Sequence, residues 1–188
     1  MMTGPTFKTL RRQEFRRFFQ PSRVLLGVIP ASTSSGVNII TLCFSMYCSY
    51  KPPMMAVAIH KQAASYGLAQ RTDEYVLSVP GESLASEAMY CGMQSMADVD
   101  KVKRLNLDLA KSQTIAVPGI VRAIANIEMV RTNVIPSGDH LLLVGAVKRF
   151  GVNTDSRDRP LISLGPNTTG YTLLLKKGIH RLGVVGEP

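Results

Sequence analysis

The chain has 188 residues, 45% of them hydrophobic, which suits one domain that folds without a disulfide or a structural metal. Its formal net charge is +9, but residues 1–23 carry +5 and residues 176–188 carry +2, which leaves only +2 between them. Basic residues confined to the ends indicate solvated termini and argue against nucleic-acid binding. The three cysteines cannot all pair, and no metal-ligand spacing or apolar run of about 20 residues occurs, so a reducing, cytoplasmic setting without membrane or metal is expected.

Residues 1–20 are expected to form a basic arm with some helix, ahead of one domain over residues 21–188. Two other interpretations of this arm stay open. Arg11 and Arg12 ahead of the short apolar run Val24–Pro30 loosely resemble a twin-arginine export signal. A basic adaptor that binds nucleic acid through residues 1–23 would use the aromatic residues among the arginines, although these also fit an amphipathic helix packed on the domain: Phe15, Phe18 and Phe19.

Short apolar runs separated by turn formers fill the first half of the chain. Strands are predicted at Val24–Pro30, Asn38–Phe44, Met54–Ile59 and Tyr75–Val79. The loop composition of 31–36 separates the first two strands, and the prolines at 52 and 53 precede the third because proline cannot donate to a sheet. Apolar residues at helical spacing predict helices at Ala63–Arg71, Glu82–Tyr90 and Asp98–Leu105.

The second half changes to a strand period. Residues 126–132 read as a half-exposed strand, and the turn at 136–139 leads into His140–Val147, predicted to be buried on both faces. Leu161–Leu164 and Tyr171–Leu175 are further strand candidates. About eight short strands without regular βα alternation favour a hairpin-rich barrel that closes its own edges.

The usual catalytic patterns are absent from the sequence. It contains no HExxH, GxSxG, P-loop or GxGxxG pattern, and its three histidines lie on separate segments. An enzyme of this composition would leave the difficult chemistry to a cofactor.

Three motifs carry a family resemblance over residues 21–150. The first begins N-I-I-T-L-C-F-S-M-Y-C-S-Y-K-P-P at Asn38 and ends in a strand that stops at Pro80. The second is Cys91-Gly92-x-x-Ser95-x-x-Asp98-x-Asp100-Lys101, and the third is Gly138-Asp139-His140 followed by Gly145. In this order and spacing they resemble the flavin reductase-like, FMN-binding split-barrel family, which includes flavoredoxin-like proteins.

The resemblance implies a mainly β, Greek-key split barrel with helical insertions, forming a homodimer with FMN near the interface. It also implies that electrons pass from NAD(P)H through FMN to an acceptor. A non-catalytic FMN-binding electron carrier is the alternative, because its sequence would look similar.

The same resemblance suggests the residues of the site. A flavin needs backbone amides along its ring edge and small hydroxyls or a helix start near its phosphate. The expected cofactor-binding residues are Asn38, Thr41, Leu42, Cys43, Ser45, Met46, Ala58, Ile59, His60, Lys61, Ser65 and Tyr66. His140 is the candidate catalytic residue on the nicotinamide side.

Four departures from the family pattern bear on this site. His60 and Ala63 stand where relatives often carry arginine, so phosphate charge is lost, in part compensated by Lys61. Met96 and Ala146 replace a glycine and an acid that are common in relatives, which puts the substrate side in doubt. Cys43 and Cys48 are interpreted as small residues beside the flavin, with a redox pair as the alternative.

Overall fold

A computed structural model describes residues 8–11, 14, 16–166 and 169–186. Within them lie thirteen strands: β1 Ser22–Arg23, β2 Leu25–Pro30, β3 Val37–Leu42, β4 Ser45–Tyr50, β5 Pro53–His60, β6 Glu74–Val79, β7 Leu109–Ala110, β8 Gly119–Ile120, β9 Ala125–Ser137, β10 His140–Val152, β11 Ile162–Ser163, β12 Tyr171–Lys177 and β13 His180–Val185. The helices are α1 Tyr66–Arg71, α2 Ala85–Met93 and α3 Lys101–Arg104, with 3₁₀ turns at Arg16–Phe19 and Glu82–Leu84.

The main sheet has seven strands in the order β3-β2-β6-β9-β10-β5-β4. Every pairing in it is antiparallel. A second sheet, β1-β11-β13-β12, joins both ends of the domain, and β7 pairs with β8. The predicted mainly β class is confirmed.

The predicted closure into a barrel is wrong, because no ladder joins β3 to β4 among the described strands. Only residues 43 and 44 separate these two edge strands in the chain, so the sheet edges must approach each other at this corner. The Ala58 N–H donates to the Phe44 carbonyl at 3.0 Å and holds the connection against β5. The sheet is therefore rolled but open, and its β3 edge is left to line a site.

The main sheet separates two apolar cores, because successive strand residues point to opposite faces. In β3, Val37 and Ile39 face the first core and Leu42 faces the second. The first core also takes α2 and the turn before it, where the stripe of Leu84, Ala88 and Cys91 is buried as the helical spacing predicts. The second core contains Tyr75, Met129 and Leu143 from three central strands.

Strand prediction succeeded at the long central runs and failed at edges and element ends. The four strands of the first half are confirmed to within two residues, whereas β4 and β13 were missed. The predicted helix at Ala63–Arg71 begins only at Tyr66, and the one at Asp98–Leu105 shrinks to four residues. His140–Val147 is not buried on both faces, since alternate residues of β10 are only half-buried.

The predicted N-terminal arm lies partly outside the described residues, which leave out 1–7, 12, 13 and Phe15. In the described part, Phe18 and Phe19 form a 3₁₀ turn and are 63% and 65% exposed. No helix in the described part of the chain is long and apolar enough to cross a membrane.

Candidate functional site

The open edge of β3 forms one wall of the candidate site. The Ile39 carbonyl accepts a 2.8 Å hydrogen bond from Lys101 Nζ, so the backbone groups of Ile39 point away from β2. Alternate residues of an antiparallel strand share this direction, which places the N–H and C=O groups of Thr41 on the same edge. The edge offers the row of backbone donors and acceptors that a planar heterocycle requires.

A buried polar pair joins β3 to the start of α1. Asn38 and Ser65 are 2% and 3% exposed, and Asn38 Nδ2 donates to Ser65 Oγ at 2.8 Å. Asn38 Oδ1 is also buried and has no hydrogen-bond partner among the described residues. A buried acceptor in this state is costly, because it has lost water without gaining a donor. A ligand N–H or O–H would satisfy it.

The end of α2 packs closely on the same strand. Thr41 Oγ1 donates to the Ala88 carbonyl at 2.5 Å. A Cβ added at Gly92 would lie 3.2 Å from the Thr41 Cβ, tighter than ordinary contact. Glycine at position 92 therefore lets the helix end approach the strand and shape the cavity beside it.

A cavity of about 200 Å³ lies between β3, the loop before α1 and the end of α2. Its lining combines large apolar residues, small residues, amide and hydroxyl side chains and one cation: Ile40, Gln62, Ala63, Ala64, Ser65, Cys91, Gly92, Met93, Gln94, Ser95, Met96 and Lys101. The cavity thus brings the first and second sequence motifs together. Neutral hydrogen-bond donors outnumber the one charged side chain in this lining, which fits a ligand rich in acceptor atoms.

Lys101 is the buried cation of this lining, with only 4% of its surface exposed. Its Nζ donates to the Cys91 carbonyl at 2.9 Å as well as to Ile39, and burial lowers its pKa. Burial raises the pKa of the Cys91 thiol to about 12, against the opposing effect of the Lys101 charge. The thiol is therefore neutral at physiological pH and is not a nucleophile.

Asp100 fastens the neighbouring loop. It caps α3 by accepting from the Lys103 N–H at 3.2 Å. It also accepts from Ser34 Oγ at 2.7 Å and from the Ser35 N–H at 2.9 Å, on the loop that leads into β3. Two adjacent residues at the start of α3 thus hold this part of the fold. Asp100 binds the loop before β3, and Lys101 binds the edge of β3 itself.

A second cluster of predicted residues lies at the junction of β5 and β10. His140 Nδ1 donates to Asp139 Oδ1 at 2.6 Å, and His60 Nε2 lies 3.7 Å from Asp139 Oδ2. The two imidazole rings meet edge to face at 4.9 Å, and Phe44 lies 5.6 Å from the His140 ring. Because Nδ1 of His140 is bound to the carboxylate, Nε2 is the nitrogen left to accept or deliver a proton.

The other predicted residues fall in distinct surroundings. Ser45 and Met46 pair with Val57 and Ala56 across the β4–β5 ladder, and Met46 is 54% exposed. The exposed Lys61 donates its N–H to the Asp139 carbonyl. Cys43 is half-buried, and no disulfide joins it to the exposed Cys48.

Leu42 and Ile59 have side chains packed in the second core, so either would meet a ligand only through its backbone. Ala58 is half-buried beside Ile59, and Tyr66 packs against the same core at the first turn of α1.

Of the residues predicted from the sequence, Ser65 lines the cavity, Asn38 is hydrogen-bonded to Ser65, and Thr41 lies against Gly92 of the lining. Sequence reasoning gave no role to Lys101 or Gln62. The signal for Lys101 was present in the second motif, where it follows Asp100. Its position gives no hint of burial, since lysine is almost never fully buried without a partner. Gln62 sits in a short turn over residues 61–65, of which residues 63–65 were predicted to belong to the following helix.

Curated proteins of three archaea share part of this sequence. An uncharacterized protein of Archaeoglobus fulgidus is 30% identical over 110 residues, which cover 58% of this chain and 62% of that protein. An uncharacterized protein of Pyrococcus abyssi is 29% identical over 134 residues, covering 71% and 76%. A third, of Aeropyrum pernix, is 27% identical, and the match spans 59% of its length. The chain thus spans less than two thirds of two of these relatives.

Solved structures with the same fold include flavin-binding proteins. An FMN-binding protein of Thermus thermophilus superposes with a TM-score of 0.76 at 19% identity, covering 98% of each chain. The NADH:FAD oxidoreductase of Streptomyces globisporus gives 0.71 at 18% identity, covering 84% and 92%. Flavoredoxin of Desulfovibrio vulgaris gives 0.69 at 18% identity, covering 100% and 95%. Because residues 22–169 match the model of the flavin reductase like domain, the chain belongs to that family.

Proposed function

We propose that the protein binds FMN in the cavity between β3, α1 and α2. The observation that carries this proposal is the buried, unpartnered Oδ1 of Asn38, whose side chain is bonded to Ser65 of a lining that also offers the donor groups of Gln62 and Ser95. The outward-facing backbone of Thr41 and the hydroxyl of Ser65 fit the ring edge and the polar chain of a flavin. The fold shared with an FMN-binding protein of Thermus thermophilus agrees with this assignment.

We further propose that the protein is an NAD(P)H-dependent flavin oxidoreductase. With FMN bound, the chemistry available at the site would be the uptake of a hydride and the release of electrons to an acceptor, which no side chain of the protein supplies. The protein holds the ligands and excludes water, while His140 Nε2 holds a proton at the nicotinamide side, oriented by Asp139. The fold shared with an NADH:FAD oxidoreductase supports this reading.

The homodimer implied by the family resemblance is proposed on the edge strand β4. Phe44, Met46, Tyr47 and Tyr50 around this strand are between 43% and 84% exposed. An exposed apolar edge strand invites pairing with another chain, and a second copy would cover it beside the site. Light scattering should give twice the monomer mass, and Met46→Lys with Tyr50→Lys should shift the protein to monomer.

Turnover separates the enzyme from an electron carrier. We expect FMN-dependent oxidation of NADH or NADPH, with the rate falling at least about tenfold in His140→Phe. The matched control is His180→Phe, on the exposed hairpin between β12 and β13. FMN binding without oxidation of either nucleotide would favour the carrier, and no saturable FMN binding would refute the proposed site.

A further inference from the structure

His60 has both of its ring nitrogens directed at specific partners. Its Nδ1 accepts a hydrogen bond from the Gln62 N–H at 3.1 Å. A nitrogen that accepts cannot carry the proton of a neutral imidazole, so the proton of the neutral His60 ring lies on Nε2. That nitrogen lies 3.7 Å from Asp139 Oδ2. The turn after β5 therefore fixes the tautomer of His60 and directs an N–H at the carboxylate of Asp139.

The carboxylate of Asp139 lies between two imidazoles. Its Oδ1 accepts a hydrogen bond from His140 Nδ1 at 2.6 Å, whereas its Oδ2 lies 3.7 Å from His60 Nε2. The second distance is too long for a direct hydrogen bond, but it leaves an attraction between the N–H dipole and the carboxylate. Such contacts often tighten when a ligand binds and excludes water. One carboxylate oxygen thus serves each imidazole.

The backbone holds this arrangement in place. His60 and His140 lie directly opposite each other in the β5–β10 ladder. The Lys61 N–H donates to the Asp139 carbonyl at 2.9 Å, and the Ala63 N–H donates to the His60 carbonyl at 2.9 Å. Opposite residues of a ladder have their side chains close together, so the position of both rings follows from the strand register.

A simple packing pair would explain only part of these contacts. The two imidazoles meet edge to face at 4.9 Å, a contact that any aromatic ring at position 60 could make. Packing requires neither an acceptor for the Gln62 N–H nor a donor directed at Asp139. The side chain of His60 is 40% exposed and that of His140 only 21%, so these polar contacts converge on the less accessible ring. The contacts therefore indicate that His60 acts on His140.

We propose that His60 is a positioning residue that keeps His140 in the tautomer with its proton on Nδ1. The inference rests on the proposed oxidoreductase and adds the residue that prepares its proton-handling side chain. Because the His60 N–H attracts Oδ2 of Asp139, Oδ1 stays turned to His140 Nδ1. Nε2 of His140 then remains the nitrogen that takes up and delivers a proton. If Asp139 turned away, His140 could place its proton on Nε2 and lose that role.

Heteronuclear NMR of the histidine ring nitrogens in the full chain measures the tautomers directly, at about pH 8, above the ordinary titration range of histidine. The sequence has three histidines, so single substitutions assign the signals. In the wild type we expect the proton on Nδ1 in His140 and on Nε2 in His60. His60→Phe keeps a ring against His140 but has no N–H, so His140 should become a mixture of both tautomers. His60→Gln keeps a donor in place of the ring and should retain more of the Nδ1–H form.

Turnover with FMN and the preferred nicotinamide nucleotide gives the second readout. His60→Phe should lower kcat at least about threefold at unchanged FMN affinity, because the side chain acts through His140 and not on the flavin. His60→Gln should recover most of this loss. The matched control is His180→Phe, in the exposed hairpin, which should leave kcat and the tautomer of His140 as in the wild type.

The outcomes separate the inference from the proposed function. A wild type in which His140 carries its proton on Nε2 would overturn the positioning role without the need for any variant. A His60→Phe variant whose His140 keeps the Nδ1–H form would overturn it as well, and so would a loss of FMN affinity as large as the loss of kcat, since His60 would then contact the flavin. A wild type that oxidises neither nucleotide would refute the proposed activity, while the NMR spectra would still decide the role of His60.

Discussion

Replacing Asp100 with asparagine should destabilise the protein at neutral pH, and this destabilisation should disappear in acid. Asp100 accepts hydrogen bonds from two loop serines and from the first turn of α3. Burial alone would raise its pKa, but these hydrogen bonds outweigh it and lower the pKa from 3.8 to about 2. Asparagine keeps one acceptor but loses the charge that all these donors favour.

The magnitude follows from that difference in pKa. A carboxyl whose pKa falls from 3.8 to about 2 on folding contributes about 2 kcal/mol when fully ionised. Because the folded pKa is the lower one, this contribution is complete above pH 5, falls to roughly half near pH 3, and disappears below pH 2. The loss in Asp100→Asn should therefore be largest at pH 7 and shrink steadily towards pH 3.

Urea unfolding followed by circular dichroism between pH 7 and pH 3 measures this difference directly. Asp98→Asn is the matched control, an exposed carboxylate two residues earlier in the same loop. We expect it to change the free energy of unfolding by less than about 0.5 kcal/mol at every pH. A loss in Asp100→Asn that stays constant from pH 7 to pH 3 would refute the electrostatic reasoning and leave only a shape effect.

Two further predictions concern buried polar groups of the sheet. In thermal unfolding, Gly145→Ala should cost about 1–3 kcal/mol, because its Cβ would collide with the Tyr75 hydroxyl and lie 3.0 Å from the Val130 carbonyl. Tyr75→Phe removes a buried hydroxyl that has no partner in the described chain, so it should rescue part of that loss, and a double variant no better than Gly145→Ala would contradict this. In urea unfolding, Glu128→Gln should cost about 1–3 kcal/mol at pH 7, because its buried carboxylate accepts from the backbone and hydroxyl of Thr114. Burial raises the pKa of Glu128, but these hydrogen bonds lower it by more, so the folded pKa lies below the ordinary value. The loss of stability in Glu128→Gln should therefore diminish as the pH falls below 4, and a loss that stays constant would contradict this prediction.

Periodicity predicted the parts of the fold that local burial decides. The Leu84, Ala88 and Cys91 stripe was found because one face of α2 meets the first core. Strand β4 was missed because most of its residues are exposed, so its sequence lacks the alternation of apolar and polar residues that predicts a half-buried strand. Barrel closure was wrong for a related reason, since whether β3 and β4 pair depends on how the whole sheet curves, which the sequence of neither strand determines.

In the candidate site too, some residues could be predicted from the sequence, whereas others depend on how separate elements meet. Asn38 and Ser65 were predicted through the family resemblance, and the structure joins them by a hydrogen bond across 27 residues of sequence. The buried state of Lys101 was not predictable, because it depends on how α2, α3 and β3 meet. His60 and His140 looked like separate histidines, yet the β5–β10 register sets them opposite each other.

The most direct test of the account is the visible absorption spectrum of the protein loaded with FMN, washed free of excess, and then mixed anaerobically with NADH or NADPH. We predict that the washed protein keeps a flavin spectrum and that one nucleotide bleaches it. Asn38→Leu, which removes the unpartnered acceptor and the bond to Ser65 of the cavity lining, should wash free of flavin, whereas Asn133→Leu, an exposed residue of β9, should not. A wild type that washes colourless would contradict the central claim, and a retained spectrum that neither nucleotide bleaches would contradict the reductase activity.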